Sequence, residues 1–196
     1  GQQIEFMRNI RRGTSGERSE LSSREDSGAM ITDLKINAER KQFYYEKGYW
    51  TEKTLGDVWA DRVASHPERT YVSDDQGSSY TYGEIDDKAA RLAAWLVEQG
   101  VAPGDVVTFQ MPTWAEFCIV YVAALKAGAV MHPLPRNFND ADLVYGMNLV
   151  GSRAFICPTK VAKVDFESQI LSIVDQIPTL GPVALVDKAP PKHSEL

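Results

Sequence analysis

A chain of 196 residues, 43% hydrophobic and 24% charged, has the length and composition of one globular domain with a real core. Its formal net charge of -6 argues against a nucleic-acid binder, which needs a basic surface to neutralise phosphates. No run approaches the roughly 18 apolar residues of a membrane-spanning helix. The two cysteines, Cys118 and Cys157, read as buried thiols of a reducing, cytoplasmic compartment and are too few for a disulfide framework or a structural zinc site.

Gly1 stands where an initiator methionine is expected and reads as a cloning remnant, so the chain ends are expected to be chosen boundaries. A short helix is expected around Ile4 to Ile10. The run from Arg11 to Gly28 is rich in Ser, Gly, Arg and Glu and has almost nothing apolar to bury, so residues 1–35 are expected to be a disordered extension. Arg8, Arg11 and Arg12 beside serines resemble a targeting leader, but Glu5, Glu17, Glu20, Glu25 and Asp26 are acids that such leaders avoid.

The ordered part is expected over residues 36–187. Asn37 caps a helix to Lys47. Thr54 caps another through Ser65, with Leu55, Val58, Trp59 and Val63 on one face and His66-Pro67 as the stop. Thr70 to Ser73 and Ser79 to Tyr82 flank the turn Asp74-Asp75-Gln76-Gly77 and read as a β-hairpin. The paired aspartates lack the spacing of a calcium loop.

From Ser79 to Leu134 the pattern is helix, strand, helix, strand. Thr81 and Glu84 have capping-box spacing, with Tyr80 and Ile85 as staple, and Thr113 and Glu116 repeat the box before Phe117. The first helix, Tyr82 to Gln99, carries one apolar stripe of Ile85, Ala89, Leu92, Ala93 and Leu96, with Asp86, Asp87, Lys88 and Glu98 facing water. The second, Trp114 to Ala127, is apolar nearly all round through Phe117, Val120, Tyr121, Ala124 and Leu125. Such a helix is expected between a sheet and another layer. Gly100 and Gly128 stop the two helices. Val106, Val107 and Phe109, then Ala129 to His132, supply the two strands of a right-handed βαβ unit.

Further on, Asn139 caps a third helix to Val150 with Leu143, Val144 and Met147 inward. Ala154 to Cys157 follows as a strand. Phe166, Ile170, Ile173, Val174 and Ile177 mark a fourth helical stripe before a strand from Val183 to Val186, and residues 188–196 trail off in proline and charge. The fold class is α/β, a mostly parallel sheet flanked by helices with a small β-hairpin.

The quoted residues also carry a resemblance. Tyr80-Thr81-Tyr82-Gly83-Glu84-Ile85, Gly104-Asp105-Val106-Val107, Gln110-Met111-Pro112, and Ala124 to Val130 with Pro133-Leu134 resemble the amino-terminal subdomain of AMP-forming acyl-CoA synthetases, members of the adenylate-forming enzyme superfamily. Asn37 to Trp50, then Thr54 to Trp59, extend it, and Trp114-Ala115-Glu116-Phe117 is most similar to the short- and medium-chain fatty acyl-CoA synthetase and cyclohexanecarboxylate-CoA ligase branch. The resemblance spans Ile36 to Val186. It implies an ATP-dependent ligase of fatty acid metabolism that converts a carboxylic acid, with ATP, Mg and coenzyme A as cofactors, to an acyl adenylate and then an acyl-CoA. It also implies that this part of the chain ends before the phosphate loop and is inactive alone.

No residue is assigned to catalysis, cofactor binding or metal binding. Gln110-Met111-Pro112-Thr113 has no glycine, so no dinucleotide fingerprint follows the first strand of the unit, and no P-loop occurs. Thr14-Ser15-Gly16 echoes the family's phosphate loop but has no lysine after it. His132 and Arg136 could meet an anion at a strand end, but the preferred reading is a proline-shaped loop with both side chains solvated; the family's commoner Asn-Pro after the Pro-Leu is absent there. Asp140 and Asp142 suit a helix start. Trp50, Trp59, Trp95 and Trp114 read as packing or subdomain-contact residues. Two other readings remain open: a carboxylate-adenylating domain that loads a carrier protein, and a non-catalytic α/β interaction module. The apolar helix Trp114 to Ala127 is expected to leave a sticky patch and a homo-oligomer.

Overall fold

The computed structural model describes the backbone of residues 7–11 and the whole of residues 36–187. The rest of the extension expected to be disordered, with the Thr14-Ser15-Gly16 echo, and the tail of residues 188–196 lie outside the described residues.

Two local starts follow the sequence closely. Asn37 caps α1 (Ala38–Glu46) by accepting from the N–H groups of Glu39 and Arg40, and Thr54 with Asp57 forms a reciprocal capping box on α2 (Leu55–Ser65). His66 ends α2. Next come β2 (Thr70–Ser73) and β3 (Ser79–Thr81), antiparallel to one another, with Gly77 at φ 89° in the turn between them, where a side chain would be strained. Thr81 and Glu84 form the box that opens α3 (Tyr82–Glu98), and the stripe of Ile85, Ala89, Leu92, Ala93 and Leu96 is buried as a whole.

The βαβ unit comprises β4 (Val106–Phe109), α4 (Ala115–Lys126) and β5 (Val130–Pro133), with β4 and β5 parallel. Then follow α5 (Asp140–Leu149), β6 (Ser152–Pro158), the two short strands β7 (Lys160–Val161) and β8 (Val164–Asp165), α6 (Phe166–Ile173) with a 3-10 turn over Val174–Gln176, and β9 (Val183–Val186). The fourth stripe is therefore split, its helix tightening into the 3-10 turn at Val174.

The main sheet has the order β1-β9-β6-β4-β5, parallel except for β1 (Met7–Arg11), which pairs antiparallel with β9. The helix expected at Ile4 to Ile10 is thus a strand over Met7–Arg11. A helix of about two turns is marginal by itself, whereas the free edge of β9 offers a full row of backbone partners.

Alternate residues of the strands feed two cores. Val107, Phe109, Ala154, Ile156, Ala184 and Val186 pack under α3 and α4, while Phe155, Cys157, Val183 and Leu185 pack under α5 and α6. Burial of both faces explains why the strands read as continuous apolar runs. The sheet, α3 and the hairpin side cover α4, so the sticky patch expected on that helix is largely enclosed; Phe117, Tyr121 and Leu125 are half-buried. Exposed apolar side chains lie elsewhere, among them Phe43, Tyr49 and Trp50 near α1, and Leu55 and Val58 on α2. Of the expected α2 face, only Trp59 and Val63 are partly covered.

Candidate functional site

In an open parallel sheet the carboxyl ends of the strands point at one rim, and ligands collect there. Here the rim consists of Gln110 to Thr113 after β4, Leu134 to Arg136 after β5, and the β7–β8 hairpin after β6. Backbone and side-chain bonds lace these loops together. Gln110 is buried; its N–H donates to the Ile156 carbonyl at 2.9 Å and its Nε2 to the Pro135 carbonyl at 2.8 Å. The Leu134 N–H donates to the Phe109 carbonyl at 2.9 Å. At the other end, the Thr159 hydroxyl donates to Asp187 Oδ1 at 2.6 Å, tying the exits of β6 and β9.

A cleft of about 380 Å³ opens at this rim. Pro112, Thr113 and Trp114 form one wall, Arg136 and Lys160 to Ala162 another, and Asp75 and Gln76 reach over from the β2–β3 turn. Ala162 holds φ at 53°, a left-handed conformation unusual for a residue with a Cβ. It is the first of two residues joining β7 to β8, where a two-residue type II′ hairpin demands positive φ. The charged side chains lining the cleft are two cations, Arg136 and Lys160, and one carboxylate, Asp75, an arrangement that can meet an anionic group while Asp75 limits how much negative charge fits. A second recess, of about 450 Å³, lies beside the end of α2 and the hairpin, lined by Arg62, His66 and Arg69 among others. It is remote from the strand ends. Among the described residues, no three of His, Cys, Asp and Glu come together to hold a metal ion.

His132 is not solvated as expected. It sits within β5, half-buried, and its Nδ1 shares a 3.0 Å hydrogen bond with the hydroxyl of buried Thr108, which in turn bonds the hydroxyl of buried Ser152. The parallel register places Thr108 opposite His132, so the sheet itself makes this polar line. Burial pushes the imidazole below its ordinary pKa. Arg136 stays exposed at the cleft, and the structure does not bring it and His132 to one site. Asp140 and Asp142 belong to the start of α5, where Asp142 completes a capping box with Asn139.

The second expected box, Thr113 with Glu116, does not form. Trp114 is the N-cap and makes no side-chain cap bond; instead Asp74 in the hairpin turn accepts from the Ala115 N–H at 3.2 Å. Asp74 also accepts from the N–H groups of Gln76 and Ser78, at 3.0 and 2.9 Å, so one carboxylate fixes both the turn and the helix start. Glu116 is released inward. It is fully buried and accepts from the Tyr80 hydroxyl at 3.2 Å, while its Oε2 has no hydrogen-bond partner. Burial first, and Glu116 second, push the Tyr80 phenol well above its ordinary pKa. Asp86, expected in water, is half-buried: it accepts from Trp59 Nε1 at 2.7 Å and pairs with Lys126 at 2.8 Å, joining α2, α3 and α4. Cys157 is buried, and burial raises its thiol pKa; Cys118 is half-buried and shifted the same way.

Sequence reasoning passed over Lys160, and weighed Asp75 only as half of a calcium pair and not as part of a cleft. Their signal was positional: Lys160 follows the expected strand Ala154 to Cys157, and Asp75 lies in the turn before the box helix. Nothing in either stretch says that the two turns face one cleft.

Residues 59–196 match the family model of the AMP-binding enzymes. The chain is 35% identical over 167 residues to the medium-chain fatty-acid–CoA ligase of Escherichia coli (strain K12), a match covering 85% of this chain and 30% of that protein. It is 29% identical over 157 residues to the salicyl-AMP ligase / salicyl-S-ArCP synthetase of Mycobacterium tuberculosis, covering 78% of this chain and 28% of that protein. Among solved structures, apo MbtA of Mycobacterium smegmatis superposes with a TM-score of 0.64 at 28% identity, over 74% of this chain and 26% of its own. The chain therefore spans under a third of the length of these relatives.

Proposed function

The chain belongs to the AMP-binding enzyme family, the adenylate-forming enzymes, and on that premise we propose that it forms the amino-terminal part of an ATP-dependent, AMP-forming acid–CoA ligase. The reaction would join a carboxylic acid to AMP with release of pyrophosphate and then pass the acyl group to coenzyme A. A short- or medium-chain fatty or alicyclic acid is the proposed substrate. The 35% identity to a medium-chain fatty-acid–CoA ligase over 85% of this chain carries the reading. Adenylation makes chemical sense of such a reaction because it converts a poor leaving group into a good one.

What these residues contribute is scaffold. The parallel sheet sets the rim, Gln110 and Asp74 fix the loops around the cleft, and the exposed Arg136 and Lys160 give its mouth positive charge. Magnesium, which the family resemblance implies, meets no cluster of three His, Cys, Asp or Glu side chains among the described residues.

A second reading has its own support, since the salicyl relative and the surfactin synthase subunits of Bacillus subtilis also match this chain. In that reading the acyl group goes to a carrier protein. A non-catalytic α/β interaction module is the third. Carboxylate-dependent exchange between ATP and pyrophosphate, measured on the full natural polypeptide and on residues 1–196 with acids from acetate to decanoate and with cyclohexane and aryl acids, separates the three. The expected result is exchange by the full polypeptide alone, followed by acyl-CoA formation when CoA is added. Exchange without acyl transfer to CoA favours a carrier protein, and no exchange with any acid favours the module.

A further inference from the structure

Two arginines and a histidine meet where α2 ends. Arg62 and His66 are four residues apart across its last turn, where the His66 N–H donates to the Arg62 carbonyl at 2.9 Å. Pro67 and Glu68 then turn the chain, and the Arg69 N–H donates back to the His66 carbonyl at 3.1 Å. All three basic residues line the recess of about 450 Å³ beside the foot of the hairpin, together with Thr70, Tyr71 and Tyr82. Its frame is tied to the start of α3: the Tyr82 N–H donates to the Arg69 carbonyl at 3.0 Å and the Gly83 N–H to the Pro67 carbonyl at 2.9 Å. Gly83 allows that approach, since a Cβ there would lie 3.2 Å from the Pro67 oxygen. The Tyr71 and Tyr82 rings, 4.8 Å apart and packed against Trp59, give the recess an aromatic wall. Burial raises the Tyr71 phenol above its ordinary pKa, so this tyrosine stays neutral.

No carboxylate lines this recess, whereas Asp75 lines the strand-end cleft. The neighbouring acids are engaged elsewhere: Asp57 and Glu84 in capping boxes, Asp61 with Lys53, and Asp86 with Trp59 and Lys126. Glu68 belongs to the turn but not to the lining. Among the described residues neither the Arg62 nor the Arg69 guanidinium has a hydrogen-bond or ion-pair partner, so both planar forks are open to a ligand. Two like charges facing one hollow repel each other, and an oxyanion held between them removes that repulsion. The volume is more than a bare phosphate fills and lies in the range of small-ligand pockets.

We propose that this recess binds a phosphomonoester, with Arg62 and Arg69 clamping the phosphate oxygens, His66 adding a further N–H donor, and the organic part of the ligand lying against the Tyr71–Tyr82 wall. The site is separate from the strand-end cleft and does not depend on which acid or acyl acceptor the enzyme uses. A soluble phosphate ester and a phosphatidate headgroup present the same chemistry to it.

Phosphorus NMR of glycerol 3-phosphate, titrated at constant ionic strength with residues 1–196 and with the full natural polypeptide, tests the proposal. Line broadening is expected to saturate in the millimolar range, to weaken about tenfold in the double variant Arg62→Gln, Arg69→Gln, and to persist unchanged in Arg136→Gln, Lys160→Gln at the other cleft. The double variant Arg62→Lys, Arg69→Lys, which keeps the charge and loses the forks, should recover only part of the affinity. Both arginines are exposed, so none of these changes removes core packing. Sedimentation with phosphatidylcholine vesicles, with and without phosphatidate, separates the two sources. Retention that requires phosphatidate, Arg62 and Arg69 assigns a lipid headgroup; saturable binding of glycerol 3-phosphate without such retention assigns a soluble ester. Broadening that never saturates, together with no phosphatidate-dependent retention, overturns the inference. So does binding that is equal in Arg62→Gln, Arg69→Gln or lost in Arg136→Gln, Lys160→Gln.

Discussion

Helices α2 and α3 begin identically and end in opposite environments. Each opens with a threonine capping box, and the two N-cap residues have the same backbone angles, φ -79° and ψ 168°. Yet α3 buries five apolar side chains and α2 buries none, its Leu55 and Val58 facing outward. The capping box is a contract between residues three apart and is indifferent to what lies beyond the helix. Burial is decided by what the rest of the fold places against each face, and α3 has the hairpin, α4 and the sheet, whereas α2 is held through Trp59 and the Asp86 bridge.

That contrast can be broken or sharpened experimentally. Removing the buried Leu92 side chain by Leu92→Ala should cost about 2–5 kcal/mol in urea unfolding, while Val58→Ala on α2 should shift stability by less than about 0.5 kcal/mol. Comparable costs at the two positions would mean that α2 is packed as α3 is. Next in size is Tyr80→Phe, which strips buried Glu116 of its hydroxyl donor and should cost about 1–3 kcal/mol. A neutral result would show that Glu116 finds another donor.

The caps come next. Thr81→Ala should lower the global stability by about 1 kcal/mol. For Thr54→Ala the expected outcome is lost far-UV helicity with a smaller change in the global midpoint, because α2 contributes little to the core. Equal global losses would tie α2 to the cooperative unit.

The smallest effect concerns pH. Burial holds folded His132 below its ordinary pKa, so on acidification the unfolded chain takes up this proton first. Its contribution is intact above about pH 6.5 and fades as the pH falls through that value toward the folded one. Urea midpoints at pH 7.5 and 5.5 should therefore converge in His132→Asn relative to the parent chain. Asp57 and Asp165, held below the carboxylate range by backbone hydrogen bonds from Thr54 and Ser168, lose their contributions only in more acidic solution, as the pH falls through their depressed values. An unchanged slope in the variant would mean that His132 does not titrate with folding.

The sequence by itself determined the elements whose signals are local. Asn37, Thr54, Thr81 and Asn139 start helices where expected, and the α3 stripe and the parallel pairing within the βαβ unit follow from spacings of a few residues. Its motif order also determined the family. Tertiary structure alone decided the rest, wherever a distant partner outbid a near one. Asp74, far from Ala115 in sequence, displaced the Thr113–Glu116 box; Thr108 drew His132 out of water; and the free edge of β9 turned Met7–Arg11 into a strand. The cleft belongs to this second class, because the turns bearing Asp75 and Lys160 meet only after the sheet has brought their strands side by side. A local pattern can fix a residue's own backbone, but the partner of a buried polar group is chosen by whichever donor or acceptor the packed chain presents to it.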